Sequence, residues 1–201
     1  MVPTLAVERL RARREERKIS VRALAGRIGL SPSSISQIET GKANPSVGAL
    51  VALTTELDLS LTELLSDADG DKAEARQSGV SPVVRETERL RFQLEHGVSW
   101  DRLTPGADDE ADFLYTIYEV GGASCPADAL MRHQGREYGL VLSGQLGARV
   151  GFEEYHLGPG DSIVFNSEIP HRMWTIGGEP AVAVWTVIGR DSDGRAFAGD
   201  R

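Results

Sequence analysis

Apolar positions in the first 65 residues recur at helical spacing, whereas those in the last hundred alternate at strand spacing between Gly and Pro breaks. Leu5, Leu10 and Ala12 run among Arg9, Arg13 and Glu16 with no Gly or Pro, which predicts a first helix over residues 5–17. Ser20 caps a second helix over 21–28, with Leu24, Ala25 and Ile28 inward and Gly29 ending it. Ser31 caps a third that carries Pro32 in its first turn, buries Ile35 and Ile38 and stops near Gly41. A fourth opens at Ser46 and runs to Leu57, and a short fifth begins at Ser60 or Leu61 and ends near Leu65. Gly48 departs from good helix design inside the fourth, at a cost of about 1 kcal/mol relative to Ala.

Residues 66–79, SDADGDKAEARQSG, are charged and poor in large apolar side chains, so they read as a solvated linker between residues 1–65 and 80–201. Beyond it, strands are predicted over 113–120, 138–142, 146–152, 162–165, 171–176 and 181–188. Many short strands with frequent turns point to an antiparallel sandwich or barrel. The expected architecture is an all-α head of five helices followed by an all-β body.

The chain has 201 residues, 40% of them hydrophobic and 26% charged, which excludes disorder, and its apolar runs are too short to span a bilayer. No apolar leader precedes the arginine-rich start, and Cys125 has no internal partner for a disulfide; both fit a cytoplasmic protein with no membrane association. The net charge of −8 conceals an asymmetry. Residues 1–65 hold nine Lys/Arg against seven Asp/Glu, a net of +2, and the remainder thirteen against twenty-three, a net of −10. A mildly basic head on an acidic body suits contact with a polyanion at one end alone.

The short turn holding Gly29 gives the second and third helices the spacing of a helix-turn-helix. In that motif the N-terminal half of the second helix meets base edges in the major groove, which places Ser33, Ser34 and Gln37 there. Gln37 is suited to adenine, the serines to a base or a phosphate, and Arg22, Ser31, Lys42 and Asn44 to the backbone that fixes register. The stretch VRALAGRIGLSPSSISQIETGKANPSVGALVAL resembles the helix-turn-helix domain of phage repressors and Xre-type regulators over nearly all of residues 5–65. Its specific elements are Leu24-Ala25, Gly29, Ser36-Gln37-Ile38-Glu39, Gly41-Lys42 and Asn44-Pro45-Ser46. The resemblance implies binding to double-stranded DNA, and it makes Glu39 similar to a residue that braces the domain. One head at +2 neutralises few phosphates, so useful affinity calls for a homodimer on a palindromic operator.

In the body, His133 and Glu137 flank Gly135, which favours a turn into a strand over a helix, and His171 arrives from a distant strand. Two histidines and one carboxylate suit non-haem Fe, with Mn or Zn as alternatives, and equally suit hydrogen bonding to an organic ligand without metal. Met131-x-His133-x3-Glu137-x6-Gly144, then Pro159-Gly160-Asp161 and His171 with Thr175, resembles the paired motifs of the cupin barrel, a double-stranded β-helix or jelly roll, over about residues 95–190. Met131 stands where that family carries its first histidine, which leaves metal occupancy open. The resemblance implies a regulator whose cupin body senses a small-molecule effector, with Met131, His133, Glu137 and His171 in the pocket and Tyr115 and Trp185 as walls. The competing reading is a mononuclear non-haem iron oxygenase or epoxidase that uses the same triad.

Overall fold

The computed structural model describes residues 4–59, 64, 81–106, 108 and 110–189. Four helices are described, α1 Thr4–Glu16, α2 Val21–Ile28, α3 Pro32–Glu39 and α4 Val47–Leu57. The caps explain these limits. Ser20, Ser31 and Ser46 each accept a hydrogen bond from the backbone N–H three residues on, at 3.1, 3.0 and 3.1 Å. Gly29 ends α2 in the left-handed conformation, and Asp58 does the same for α4. Helix α3 ends at Thr40, one residue short of the expected Gly41. The fifth helix expected over 60–65 falls almost wholly outside the described residues, of which Leu64 alone is described there, helical and buried. The linker expected over 66–79 also lies outside them.

Arg14 braces the helical part. It is 8% exposed and grips Glu39 through Nε at 2.6 Å and Nη2 at 2.8 Å, while Nη1 donates to the Ile19 carbonyl at 3.0 Å. The end of α3 is thereby tied to α1, the bracing role that the resemblance implied for Glu39.

Among the described residues the β part holds nine strands in two antiparallel sheets. Strands β1 Arg91–Leu94, β2 Val98–Arg102, β3 Ala111–Tyr118, β4 Arg136–Ser143, β7 Ser162–Asn166 and β9 Ala181–Ile188 form the larger, in the order β1-β2-β3-β9-β4-β7. Strands β5 Gln145–Val150, β6 Glu153–Leu157 and β8 His171–Ile176 form the smaller, in the order β6-β5-β8. Strict alternation on β8 and β9 sends His171, Met173 and Thr175 inward, with Ala181, Ala183, Trp185 and Val187 opposite them.

The helical and β parts share one apolar core. Pro45 accepts a hydrogen bond from the Glu95 N–H at 3.0 Å, and the Gly48 N–H donates to the Ser124 carbonyl at 3.0 Å. A Cβ at position 48 would stand 3.2 Å from the Cβ of Cys125. The glycine that weakens α4 as a helix is what lets α4 lie against the barrel.

Candidate functional site

On the helical part, α2, a turn through Gly29 and α3 form the expected helix-turn-helix pair. Ser33, Gln37, Arg22 and Lys42 are exposed or partly so, Ser34 and Asn44 half-buried. Ser31 differs from the rest. Its hydroxyl oxygen takes the Ser34 N–H as the α3 cap and lies 2.7 Å from the Ser34 hydroxyl, so its first duty is to the helix. No helix of the described residues is long and apolar enough to cross a membrane.

Inside the β part, His133, Glu137 and His171 converge, and each offers a ligand atom within 4.8 Å of the others. All three are buried, at 7%, 2% and 0% exposure. Local backbone pairing sets them. Met131 and His171 exchange two backbone hydrogen bonds of 2.9 Å, the His133 N–H donates to the Ser167 carbonyl, and Glu137 lies on the inner face of β4. His133 is therefore outside any helix, as the nearby Gly135 led one to expect.

Both imidazoles are oriented by their Nδ1 atoms, which donate to the carbonyls of Gln134 at 2.9 Å and Ile169 at 2.8 Å. A carbonyl only accepts, so Nδ1 carries a hydrogen and Nε2 turns inward. The two Nε2 atoms lie 2.8 and 3.1 Å from Glu137 Oε1. Neither approach is aligned as a hydrogen bond, and Glu137 Oε1 and His171 Nε2 are buried without a hydrogen-bond partner. Glu137 Oε2 is separately engaged by the Trp185 indole N–H at 2.6 Å. That indole lies flat because Gly139 has no Cβ, which would overlap its ring. Burial raises the Glu137 pKa, but the two imidazoles, when Nε2 is protonated as well as Nδ1, outweigh it and hold the carboxyl below the usual range.

The donor set fits a divalent metal. Two bonds of about 2.1 Å at right angles place ligand atoms about 3.0 Å apart, matching the 2.8 and 3.1 Å found between the imidazoles and the carboxylate. The outer hydrogen bonds on both Nδ1 atoms and on Oε2 are those that commonly orient metal ligands.

A cavity of about 20 Å³ adjoins the cluster, room for about one water. Met131, His133, Glu137 and Trp185 line it, together with Trp100, Leu114, Thr116, Tyr118, Met173 and Val187. Val47 and Val51 of α4 complete the wall. Sequence reasoning missed both, although the run VGALVAL, with no polar side chain on any face, signals a helix buried on more than one side. Tyr115 corrects an expectation. Inward positions on β3 are Asp112, Leu114, Thr116 and Tyr118, so Tyr115 points outward, where Arg89 stands over its ring at 5.3 Å. Cys125 is buried, and burial pushes its thiol pKa up.

A repressor-type helix-turn-helix seated on a small antiparallel barrel with a buried His/His/Glu cluster defines a two-part protein of the helix-turn-helix class. Comparison with known proteins agrees. Residues 10–64 match the family described as Helix-turn-helix, HTH_3, and residues 114–187 match the Cupin domain family, Cupin_2. The HTH-type transcriptional regulator PuuR of Escherichia coli (strain K12) is 31% identical over 166 residues, which cover 83% of this chain and 85% of PuuR. The crystal structure of an HTH_3 family transcriptional regulator from Vibrio cholerae superposes with a TM-score of 0.63 at 21% identity, covering 92% of this chain and 95% of that one. The hydroxypropylphosphonic acid epoxidase from S. wedmorenis superposes at a TM-score of 0.44 and 20% identity, over 94% of this chain and 98% of that one. The chain belongs to the HTH-type transcriptional regulators that join a helix-turn-helix to a cupin domain.

Proposed function

We propose that residues 1–65 read a palindromic operator in double-stranded DNA and that residues 80–201 sense a small-molecule effector, in a cytoplasmic homodimer. The observation that carries the DNA-reading assignment is the uncrowded polar face of α3, where Ser33 and Gln37 are exposed beside Ser34. Gln37 reads a base, most naturally adenine through both amide atoms, and Ser33 and Ser34 take a base edge or a phosphate. Arg22, Lys42 and Asn44 hold the phosphates on either side. Replacing Gln37 with Ala is expected to lower discrimination at one operator position by roughly 1–3 kcal/mol. The operator comes from a genomic DNA pull-down, and the loss is read by gel shift on matched and mismatched sites. Unchanged discrimination removes Gln37 from the interface.

The dimer is assigned to the outer face of the larger sheet. Phe113, Tyr138, Leu140, Leu142 and Val164 are each 39–46% exposed there, and Tyr138 pairs with Val164 across β4 and β7. A second copy covering this face would provide the second head that a net charge of +2 per head requires.

His133, Glu137 and His171 would hold one divalent ion, Fe, Mn or Zn, which when bound supplies an electrophilic point for an anionic or hydroxyl end of an effector. The residues of the chain do the rest: Trp185 orients the carboxylate, the Gln134 and Ile169 carbonyls orient the imidazoles, and the apolar wall excludes water. The runner-up is a mononuclear non-haem iron oxygenase, which the two-histidine, one-carboxylate set favours. Elemental analysis of protein made without a metal-affinity tag separates the two when paired with the pull-down. Near-stoichiometric iron with no enriched DNA would favour the enzyme; an enriched palindrome would favour the regulator.

A further inference from the structure

Helix α4 is apolar around most of its girth. Leu50, Leu53 and Leu57 bury one face in the helical part at 0–2% exposure. Val47 and Val51, one turn apart on a different face, are 2% exposed and reach the cavity beside the His/His/Glu cluster. Between them Gly48 is held against the Ser124–Cys125 backbone by its own N–H, at 3.0 Å from the Ser124 carbonyl. The helix that closes the fold of the DNA-reading head is therefore also a wall of the barrel's interior.

The size of that interior limits its occupant. A cavity of about 20 Å³ takes one water, or a metal with little else, and no organic molecule of several heavy atoms. A larger occupant needs volume now held by the lining, of which Val47 and Val51 are the residues contributed by the helical part. On the head's side of the shared core Leu24, Ile35, Leu50 and Leu57 are fully buried, and the Arg14–Glu39 brace lies outside the contact, which gives the head a means to stay folded when lifted away.

We propose that the first turn of α4 is the plug of the cupin pocket, so that docking of the head and filling of the pocket by an organic effector are mutually exclusive. This rests on the reading of the barrel as the effector site. The occupant is a compact molecule with an apolar body for Trp100, Leu114 and Val187 and one anionic or hydroxyl end for the cluster. Expelling the plug alters where α3 is held relative to the barrel, without any change inside the helix-turn-helix. A dimer reading two half-sites at fixed spacing responds to that displacement.

The docked contact offers a direct test, because Cys125 is the chain's one cysteine and faces position 48. Gly48→Cys in the full chain places two Cβ atoms about 3.2 Å apart, a few tenths below the roughly 3.5–4.5 Å of a disulfide. Oxidised glutathione accepts the two electrons and two protons lost by the thiols, giving two molecules of reduced glutathione and one bridge. Near-complete bridging within single chains, seen on non-reducing gels of dilute protein, is expected. Bridges between chains, or free thiols after prolonged oxidation, overturn docking in cis.

A second variant, Gly48→Leu, levers α4 off the barrel. Cys125 is then expected to react with Ellman's reagent at least tenfold faster than in the unmodified chain. Anilinonaphthalene sulfonate is expected to bind the Gly48→Leu protein with raised fluorescence and to leave the oxidised Gly48→Cys protein dark. Equal dye binding by the locked and levered proteins overturns the plug. Since none of these readouts uses DNA or effector, failure here leaves the regulator assignment standing, and failure of the operator pull-down leaves the plug standing.

Discussion

Glu39→Gln tests the brace of the helical part directly. It keeps the shape of the side chain and removes the charge that Arg14 grips at 2.6 and 2.8 Å. The pair is about nine-tenths buried, with side-chain exposures of 10% and 8%, so solvent screens it little. Two unit charges about 4 Å apart at an effective dielectric near 20 attract by ~4 kcal/mol. Removing one member of a buried pair strands the other, at about 3–5 kcal/mol. A unit of about 60 residues has a total stability of roughly 3–9 kcal/mol, so this loss is a large fraction of it. The helical midpoint should fall by at least about 12 °C. The sequence supplies a clean assay, because Trp100, Trp174 and Trp185 all lie in the β part. Circular dichroism at 222 nm follows the helices, and tryptophan fluorescence follows the β part together with the α4 contact that Trp100 and Trp185 line. Pairing Arg14→Met with Glu39→Met should recover most of the loss, since both charges are then gone. A shift of less than about 4 °C in the helical midpoint of Glu39→Gln would refute the brace.

Trp185→Phe removes the 2.6 Å donor from Glu137 Oε2 and leaves the three ligand side chains in place. Affinity for Zn²⁺ or Mn²⁺, read by calorimetric titration, should weaken about 10–100-fold, against complete loss in Glu137→Ala; an unchanged affinity separates the indole from the metal. Leu140→Glu puts a charge in the middle of the exposed face of β4, and sedimentation should show a monomer. A persistent dimer locates the interface elsewhere.

The helical part was legible because its signals are local. Three serine caps, Gly29 and Pro32 each act on the next few residues, and no distant contact overrides them. The strands were legible where one face is core and the other is solvent, as on β8 and β9. Strand β6 escaped for the opposite reason. It is an edge strand of EEYHL that buries neither face, so it has no alternation to read. Strand β1 is only four residues long, too short for Phe92 and Leu94 to stand out as a period. The misplacement of Tyr115 has a more useful cause. Strand β3 is apolar at both parities, with Phe113, Tyr115 and Ile117 outward and Leu114 and Tyr118 inward, so composition cannot say which set faces the core. That ambiguity is itself the mark of a strand with apolar side chains on both faces of its sheet.

The site divides in the same way. His133 and Glu137 were legible because the turn at Gly135 between them is local, and the distant His171 because it falls in the second of the paired cupin motifs that the sequence resembles. The roof was not found, since Val47 and Val51 precede the cluster by some eighty residues and look like ordinary core of the head. Gly48 was the available clue. A glycine in a helix interior loses about 1 kcal/mol against alanine, and a position that keeps it must gain from the absent Cβ. Here the gain is contact with Ser124 and Cys125 at a distance that no side chain permits without displacement. The same residue therefore belongs to two sites. Within the head it is a weak point in the helix that follows the DNA reader, and within the barrel it is the fit of the roof. A substitution there should disturb the pocket before it disturbs the fold, which is the order of events that links an occupied barrel to a displaced head.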